Sequence, residues 1–260
     1  MTDDAAILLT LPEGPEAPAR LTLNRPARHN ALEIEDMALM RALLDKAAAA
    51  APRVLILTGA GDRTFCAGAS LGDVGSGGGA AWDAENPLTA LCDALEAFPA
   101  PIICALNGGV YGGGVELALS CDFRIGGRGM KAFVPPARLG IHYEPAGIRR
   151  AVTRLGPQMA RRMFLLVEAL GDEALLAAGF LDRLVERDEV AAAAEDMAAT
   201  IAALAPLAVQ GMKRTIDELA RGDLDEAAAR ARITAAWASD DLREGLAAMK
   251  EKRKAAFTGR

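Results

Sequence analysis

Two glycine-bearing turns carry the residues best placed to do chemistry, FCAGASL at 65–71 and NGGVYGGGVELALSCD at 107–122. Each follows an apolar, strand-like run: VLILT at 54–58 and PIICAL at 101–106. Glycine lets a backbone come close to a ligand and take a positive φ. The second turn runs into a helix that starts near Gly112. A helix N-terminus presents free N–H groups and the positive end of its dipole. Two such turns on neighbouring strands can aim two N–H groups at one oxygen. That geometry stabilises a carbonyl as it becomes an enolate.

The elements that must position these turns are legible in the hydrophobic pattern. Residues 5–11 and 19–24 read as strands around a Gly/Pro turn at 12–18. Residues 33–51 have helical spacing, and 53–58 is a strand. A GSGGG tract at 75–79 cannot pack a core and reads as a loop. A helix at 85–97, a strand at 101–106, a helix at 112–120 and strands at 121–126 and 130–134 follow. Strands alternating with helices predict βαβ units and a largely parallel core. From about 144 the chain reads as nearly all helix, with one last strand at 181–185. Pro157 is placed to restart a helix after Gly156, Asp172 to cap 173–178, and Gly179 to end it. Helices are expected at 188–204, 206–221, 224–238 and 240–254.

Bulk composition narrows the function classes. The 260 residues suit one sizeable domain, or a domain with an appendage. A net charge of −6 argues against a nucleic-acid binder, whose footprint is basic. No apolar run reaches membrane-spanning length. The N-terminal MTDDAAILLT lacks a basic n-region and a cleavage pattern, so a cytoplasmic protein is expected. Cys66, Cys92, Cys104 and Cys121 lack CxxC spacing and read as reduced, buried small hydrophobes. Two histidines and four scattered cysteines predict no metal site. There is no Rossmann GxGxxG unit, no P-loop lysine and no GxSxG elbow.

Six landmarks in one order carry a family resemblance: LNRPARHNAL (23–32), FCAGASL, GGGVE with CDFRI (121–125), PPARLGI (135–141), APLAVQGMK (205–213) and DLREGLAAMKEKRKAAF (241–257). Over nearly its whole length the chain resembles the crotonase, or enoyl-CoA hydratase/isomerase, superfamily. The resemblance implies an α/β fold, a spiral of ββα units over 1–200 with a helical C-terminal region at 201–260. It implies an acyl-CoA thioester ligand and no cofactor other than the coenzyme A of the substrate.

The resemblance also implies roles. The oxyanion-hole amides fall at Ala69 and Gly113. Glu116, in the first turn of the helix after the second glycine turn, is the acid that the family's hydratases would use as general base; its plainer reading is a dipole-complementing glutamate. The second hydratase glutamate falls at Pro136, which has no acid, base or donor. His142, Tyr143 and Glu144 follow in the stretch that lines the acyl pocket. Tyr143 matches a tyrosine of the methylmalonyl-CoA decarboxylase branch, although that branch's histidine is here Ala69. Glu144 is a candidate replacement for the missing acid, or a cap for the next helix. Arg28 is expected near the CoA nucleotide phosphates, while His29 reads as solvated. Ala31, Ala67, Gly68, Ser70, Leu71 and Gly112 are expected along the substrate. Lys254 and Phe257 belong to a tail that in relatives covers the adenine end.

Three functions compete at this stage: enolate chemistry with Glu116, decarboxylation with Tyr143, and CoA-thioester binding without turnover, which Pro136 favours. Apolar stripes (Ile201, Leu204, Leu207, Val209, Met212; then Ile233, Trp237, Leu242, Leu246, Met249) predict buried surface beyond what a helical tail covers alone. With the resemblance they imply a homo-trimer or a dimer of trimers.

Overall fold

A computed structural model describes residues 5–70 and 86–260. The first β-hairpin pairs β1 (Ile7–Thr10) with β2 (Ala19–Leu23) antiparallel, Ile7 opposite Leu23. Alternation places Ala19, Leu21 and Leu23 on the buried face. β3 (Leu55–Gly59), β5 (Ile102–Leu106), β7 (Phe123–Gly127) and β10 (Arg183–Val185) extend the sheet in parallel, in the order β1-β2-β3-β5-β7-β10. The central strands LILTG and IICAL are covered on both faces, which explains their unbroken apolar runs. One face packs Leu55, Leu57, Ile102 and Cys104 with Met37, Met40 and Leu44 of α1 (Ile34–Ala49) and Leu91 and Leu95 of α2 (Pro87–Ala97). The other packs Val54, Ile56, Ile103 and Ile125 under Val190, Ala194 and Met197.

A second sheet holds β4 (Thr64–Cys66), β6 (Gly109–Tyr111), β8 (Lys131–Phe133) and β9 (Leu170–Gly171), in that order. The path is therefore a spiral. β3 leads to β4 and later α2; β5 leads to β6 and α3 (Gly113–Leu119); β7 leads to β8 and α4 (Pro145–Phe164). The sequence reading missed β4, β6 and β9 because two or three residues show no periodicity. They exist because successive turns of the spiral lay them side by side. The expected GSGGG loop lies outside the described residues.

α4 is two helices joined at a break: Gly156 takes φ 81° and Pro157 restarts the helix, as its position predicted. Asp172 is a correction. It opens α5 (Asp172–Ala177) as its first helical residue, and Gly171 is the cap. Its carboxylate instead accepts from the Gly129 amide at 2.7 Å and the Glu173 amide at 2.8 Å. Gly179 follows the helix with φ 72°, as a terminating glycine should.

A bend of 108° separates the segment that ends in α6 (Val190–Ala202) from α7 (Pro206–Arg221). α8 (Glu226–Ala238) and α9 (Asp240–Glu251) complete the chain. Lys213 of α7 anchors this region, its Nζ lying 2.8 Å from Asp122 Oδ1 and 3.2 Å from Asp217 Oδ2. The outer face stays open to solvent: Met212 is 58% exposed, Ile216 60%, Trp237 73% and Met249 72%.

Candidate functional site

Hydrogen bonds register the first signature loop against the first glycine turn. The Ala67 amide donates to His29 O, Leu32 to Gly68 O, and Ser70 to Leu32 O, at 3.0, 2.9 and 2.8 Å. Leu32 and Ala69 form an isolated parallel bridge. In that pattern Leu32 uses the groups of residues 68 and 70, so the Ala69 N–H points to the other side. Asn30 ties the loop together. Its Nδ2 donates to Ala60 O at 3.1 Å and Thr64 O at 2.9 Å. His29, read as solvated, is exposed, but its Nδ1 lies 3.0 Å from Thr64 Oγ1.

The second glycine turn closes on the first. The Gly112 amide donates to Phe133 O at 3.0 Å, and Gly113 is the first residue of α3. A β-carbon on Gly68, whose φ is +87°, would stand 2.6 Å from the Gly113 nitrogen. A β-carbon on Gly113 would stand 3.5 Å from the Ala69 nitrogen and 2.6 Å from a Leu88 methyl. Only glycine at 68 gives both the left-handed backbone and this approach. Ala69 and Gly113 thus sit side by side, and neither amide donates to a described residue. For Gly113 the reason is its place in the first helical turn.

Glu116 lies one turn into α3 and is 2% exposed. Its Oε1 accepts from Arg150 Nη1 at 2.7 Å, while Oε2 is buried with no hydrogen-bond partner among the described residues. Arg150, in α4, is itself 1% exposed. Its Nη2 donates to Asp93, and its Nε lies 3.2 Å from Glu96 Oε1. Burial raises the Glu116 carboxyl above its ordinary value, against the lowering influence of the Arg150 charge and the Tyr143 phenol. Gly147 makes room for the group. A β-carbon there would stand 2.6 Å from Glu116 Oε2 and 2.3 Å from the Tyr143 ring.

The remaining candidates divide. Tyr143 packs edge-on against Phe164, ring centroids 5.0 Å apart, and turns toward Glu116. Burial and the Glu116 charge push its phenol well above the usual value. Glu144 is the N-cap residue of α4 but makes no side-chain cap bond. Its Oε1 instead accepts from Asn86 Nδ2 at 3.3 Å. Asn86 in turn caps α2 through the amides of Leu88 and Thr89. Glu144 is thereby linked to the Leu88 end of α2, which touches Gly113. Pro136 opens a short 3-10 turn, Pro136–Leu139, and Pro135 lies 3.9 Å from where a Gly112 β-carbon would be. The Ala31 amide donates to Arg28 O at 3.1 Å. Arg28 is exposed and pairs with Glu33 Oε1 at 2.6 Å. Leu71 lies outside the described residues.

Lys254 and Phe257 do not join this group within one chain. Phe257 O accepts from Arg53, just before β3, and the ring packs beside Gly245 of α9. Asp241 fixes the tail by accepting from the Thr258 and Gly259 amides at 2.6 and 2.9 Å. Of the basic run, Arg253 is spent on Glu244 and Glu251, while Lys254 is exposed. The four cysteines are free and buried, as read; burial pushes the Cys66 thiol up to about 12.

The sequence reading did not find Arg150, Asp93, Glu96 or Gly147. A buried acid demands a partner. Yet Arg149, Arg150 and Arg154 are equally available on paper, and only the phase of α4 selects one.

The enoyl-CoA hydratase/isomerase family profile matches residues 13–260. The chain is 35% identical over 246 residues to a protein named a probable enoyl-CoA hydratase of Mycobacterium bovis, covering 94% of this chain and 97% of that one. It is 33% identical to the 2,3-dehydroadipyl-CoA hydratase of Escherichia coli, covering 92% and 94%. An enoyl-CoA hydratase structure from Bacillus anthracis superposes with a TM-score of 0.86 at 26% identity, covering 98% of this chain and all of that one. The protein belongs to the enoyl-CoA hydratase/isomerase family, and its fold is the crotonase spiral with a helical C-terminal region.

Proposed function

We propose that this acyl-CoA-processing enzyme works through a thioester enolate held by the Ala69 and Gly113 amides, with Glu116 as the principal acid/base. One observation carries the reading. Two N–H groups that donate to no described residue converge at the start of the helix that, one turn later, presents a buried carboxylate whose Oε2 has no hydrogen-bond partner among the described residues. Fixed backbone donors suit an oxygen that gains charge, and losing one such donor costs about 10²–10³ in rate. Burial favours the neutral acid, which brings Glu116 closer to the working pH of a general base.

Glu144 supplies the second carboxyl in place of Pro136. It is the acid on the lead-in to α4, it is not consumed as a cap, and Asn86 links it to the helix end that abuts Gly113. Tyr143 is turned toward Glu116 and packed on Phe164, which weighs against the decarboxylase role. Binding without turnover keeps one point in its favour, Pro136. Arg28 and the loop 66–70 serve the CoA moiety, and Lys254 and Phe257 serve it across a subunit boundary. The exposed apolar face of α7–α9 is the surface on which copies meet. Light scattering should then give a multiple of the 27.1 kDa chain. A monomer would remove that arrangement.

The decisive assay is exchange of the α-proton of butyryl-CoA in D₂O, set beside hydration of crotonyl-CoA. Enolate chemistry requires exchange in the wild type and its loss by at least ~10² in Glu116→Gln, with butyryl-CoA affinity retained. Binding without exchange in the wild type would establish the silent reading instead.

A further inference from the structure

A buried guanidinium, Arg150, bridges Glu116 and two acids of α2. We propose that Arg150 is a positioning residue: it pins Oε1 of Glu116 so that Oε2 alone is presented for proton transfer, and Asp93 and Glu96 of α2 set the orientation of its fork. The inference rests on the reading of Glu116 as acid/base and names what controls that group.

The geometry carries it. The Arg150 side chain is fully buried; its Nη1 and Nη2 donate hydrogen bonds, while Nε makes none to a described residue. Nη1 meets Glu116 at 2.7 Å, Nη2 meets Asp93, and Nε faces Glu96 at 3.2 Å. Asp93 and Glu96 are three residues apart on α2 and so share a face. Asp93 and Glu96 both accept from Nη2, which holds that end of the guanidinium on α2 and leaves Nη1 aimed at Glu116. A lysine could supply the charge but not the fork. Oε1 of Glu116 is held by Arg150, while Oε2 makes no hydrogen bond of good geometry to a described residue, the Tyr143 phenol being turned toward the carboxylate.

The same cluster controls charge. Arg150 lowers the Glu116 carboxyl while the Asp93 charge raises it, and Arg149 lies 3.6 Å from Glu96 on the outer side of the cluster. The groups facing Glu116 are Arg150 and Tyr143 from α4 and its lead-in, and Cys92, Asp93 and Glu96 from α2. Asp93 has a half-exposed side chain (54%), so its charge can be removed without opening the core. Neutralising it removes a negative charge that raises Glu116 and so favours the ionised acid; removing the Arg150 charge does the opposite.

The test uses full-length protein labelled with ¹³C at glutamate Cδ, the Glu116 signal being identified by its loss in Glu116→Gln. Asp93→Asn should move the Glu116 titration midpoint down by at least ~0.5 in pH, and Arg150→Met should move it up by more. Arg150→Lys should cut butyryl-CoA α-proton exchange at least ~10-fold in kcat with KM little changed. A purely structural arginine predicts an unmoved midpoint in Asp93→Asn and unchanged exchange in well-folded Arg150→Lys; that pair of results overturns the inference. Should Arg150→Met fail to fold, the other two variants decide. Failure of the underlying reading looks different, since Glu116→Gln would then keep its exchange. The titration judges the cluster either way.

Discussion

Glu116 and Glu144 are held in opposite ways. Glu116 is 2% exposed and paired with a guanidinium that also meets Asp93 and Glu96. Glu144 is half-buried at the start of α4, with a single bond of 3.3 Å to Asn86. The first sits on a helix inside the spiral, the second on the loop that carries Pro136. Acids that must be tuned need burial and a partner, while acids that meet varied substrates need access.

The most damaging way to break this contrast is to fill the space above Glu116. Gly147→Val should clash with the Glu116 carboxylate and the Tyr143 ring, cutting α-proton exchange by ~10³ or more and costing about 1–3 kcal/mol of stability by overpacking. Denaturant unfolding and the exchange assay measure both. A fully active, stable variant would mean that Glu116 is not held where it stands.

Next in size is the difference between the acids themselves. Glu144→Gln should lower crotonyl-CoA hydration by about 10²-fold while leaving butyryl-CoA exchange within a few-fold, because only addition across the double bond needs the second carboxyl. Equal losses in both assays would give the two acids one shared role.

A smaller effect separates them by pH. Burial raises Glu116, so the acid limb of kcat/KM should lie above the ordinary carboxylate value of 4.5. The base must be ionised, and activity falls as pH drops through the raised value. Tyr143→Phe removes a hydroxyl that favours the ionised acid, so the limb should move further up. A limb at or below 4.5 would contradict the description of Glu116.

The mildest prediction lies far from the site. Arg253 and the Ala256 amide lower Glu244 from 4.5 to about 2. A depressed carboxyl stabilises the folded tail fully above its unfolded value and loses that contribution as pH falls toward the folded one. Protection of the 256–260 amides, taken relative to the intrinsic exchange rate at each pH, should therefore fall as pH drops from 4.5 toward about 2, and added salt should weaken the dependence. Tail protection that is flat across this range would show that Asp241 alone holds the segment.

Local patterns in the sequence were enough to fix the parts with strong periodicity or fixed backbone chemistry. LILTG and IICAL read as buried strands because parallel strands covered on both faces must be apolar throughout. Gly156-Pro157 read as a helix restart because proline's fixed φ and missing N–H permit little else. Gly68 and Gly112 read as close-approach glycines, and Glu116 as a first-turn acid, because each follows from its neighbours along the chain. The placement of Asp172 as a cap failed because its carboxylate is drawn to the Gly129 amide, 43 residues away.

Tertiary structure decided the rest. β4, β6 and β9 became strands only when turns of the spiral stacked, since no two- or three-residue segment holds a strand by its own preference. The pairing of Ala69 with Gly113 needed two strands brought side by side from 44 residues apart. Arg150 became the partner of Glu116 through the phase of α4, and Gly147 became a position without room for a β-carbon because a carboxylate and a phenol converge on it. Sequence sets which chemical groups and local conformations are available, because those depend on neighbours in the chain. Which buried charge faces which depends on how separate helices pack, and only the folded chain determines that.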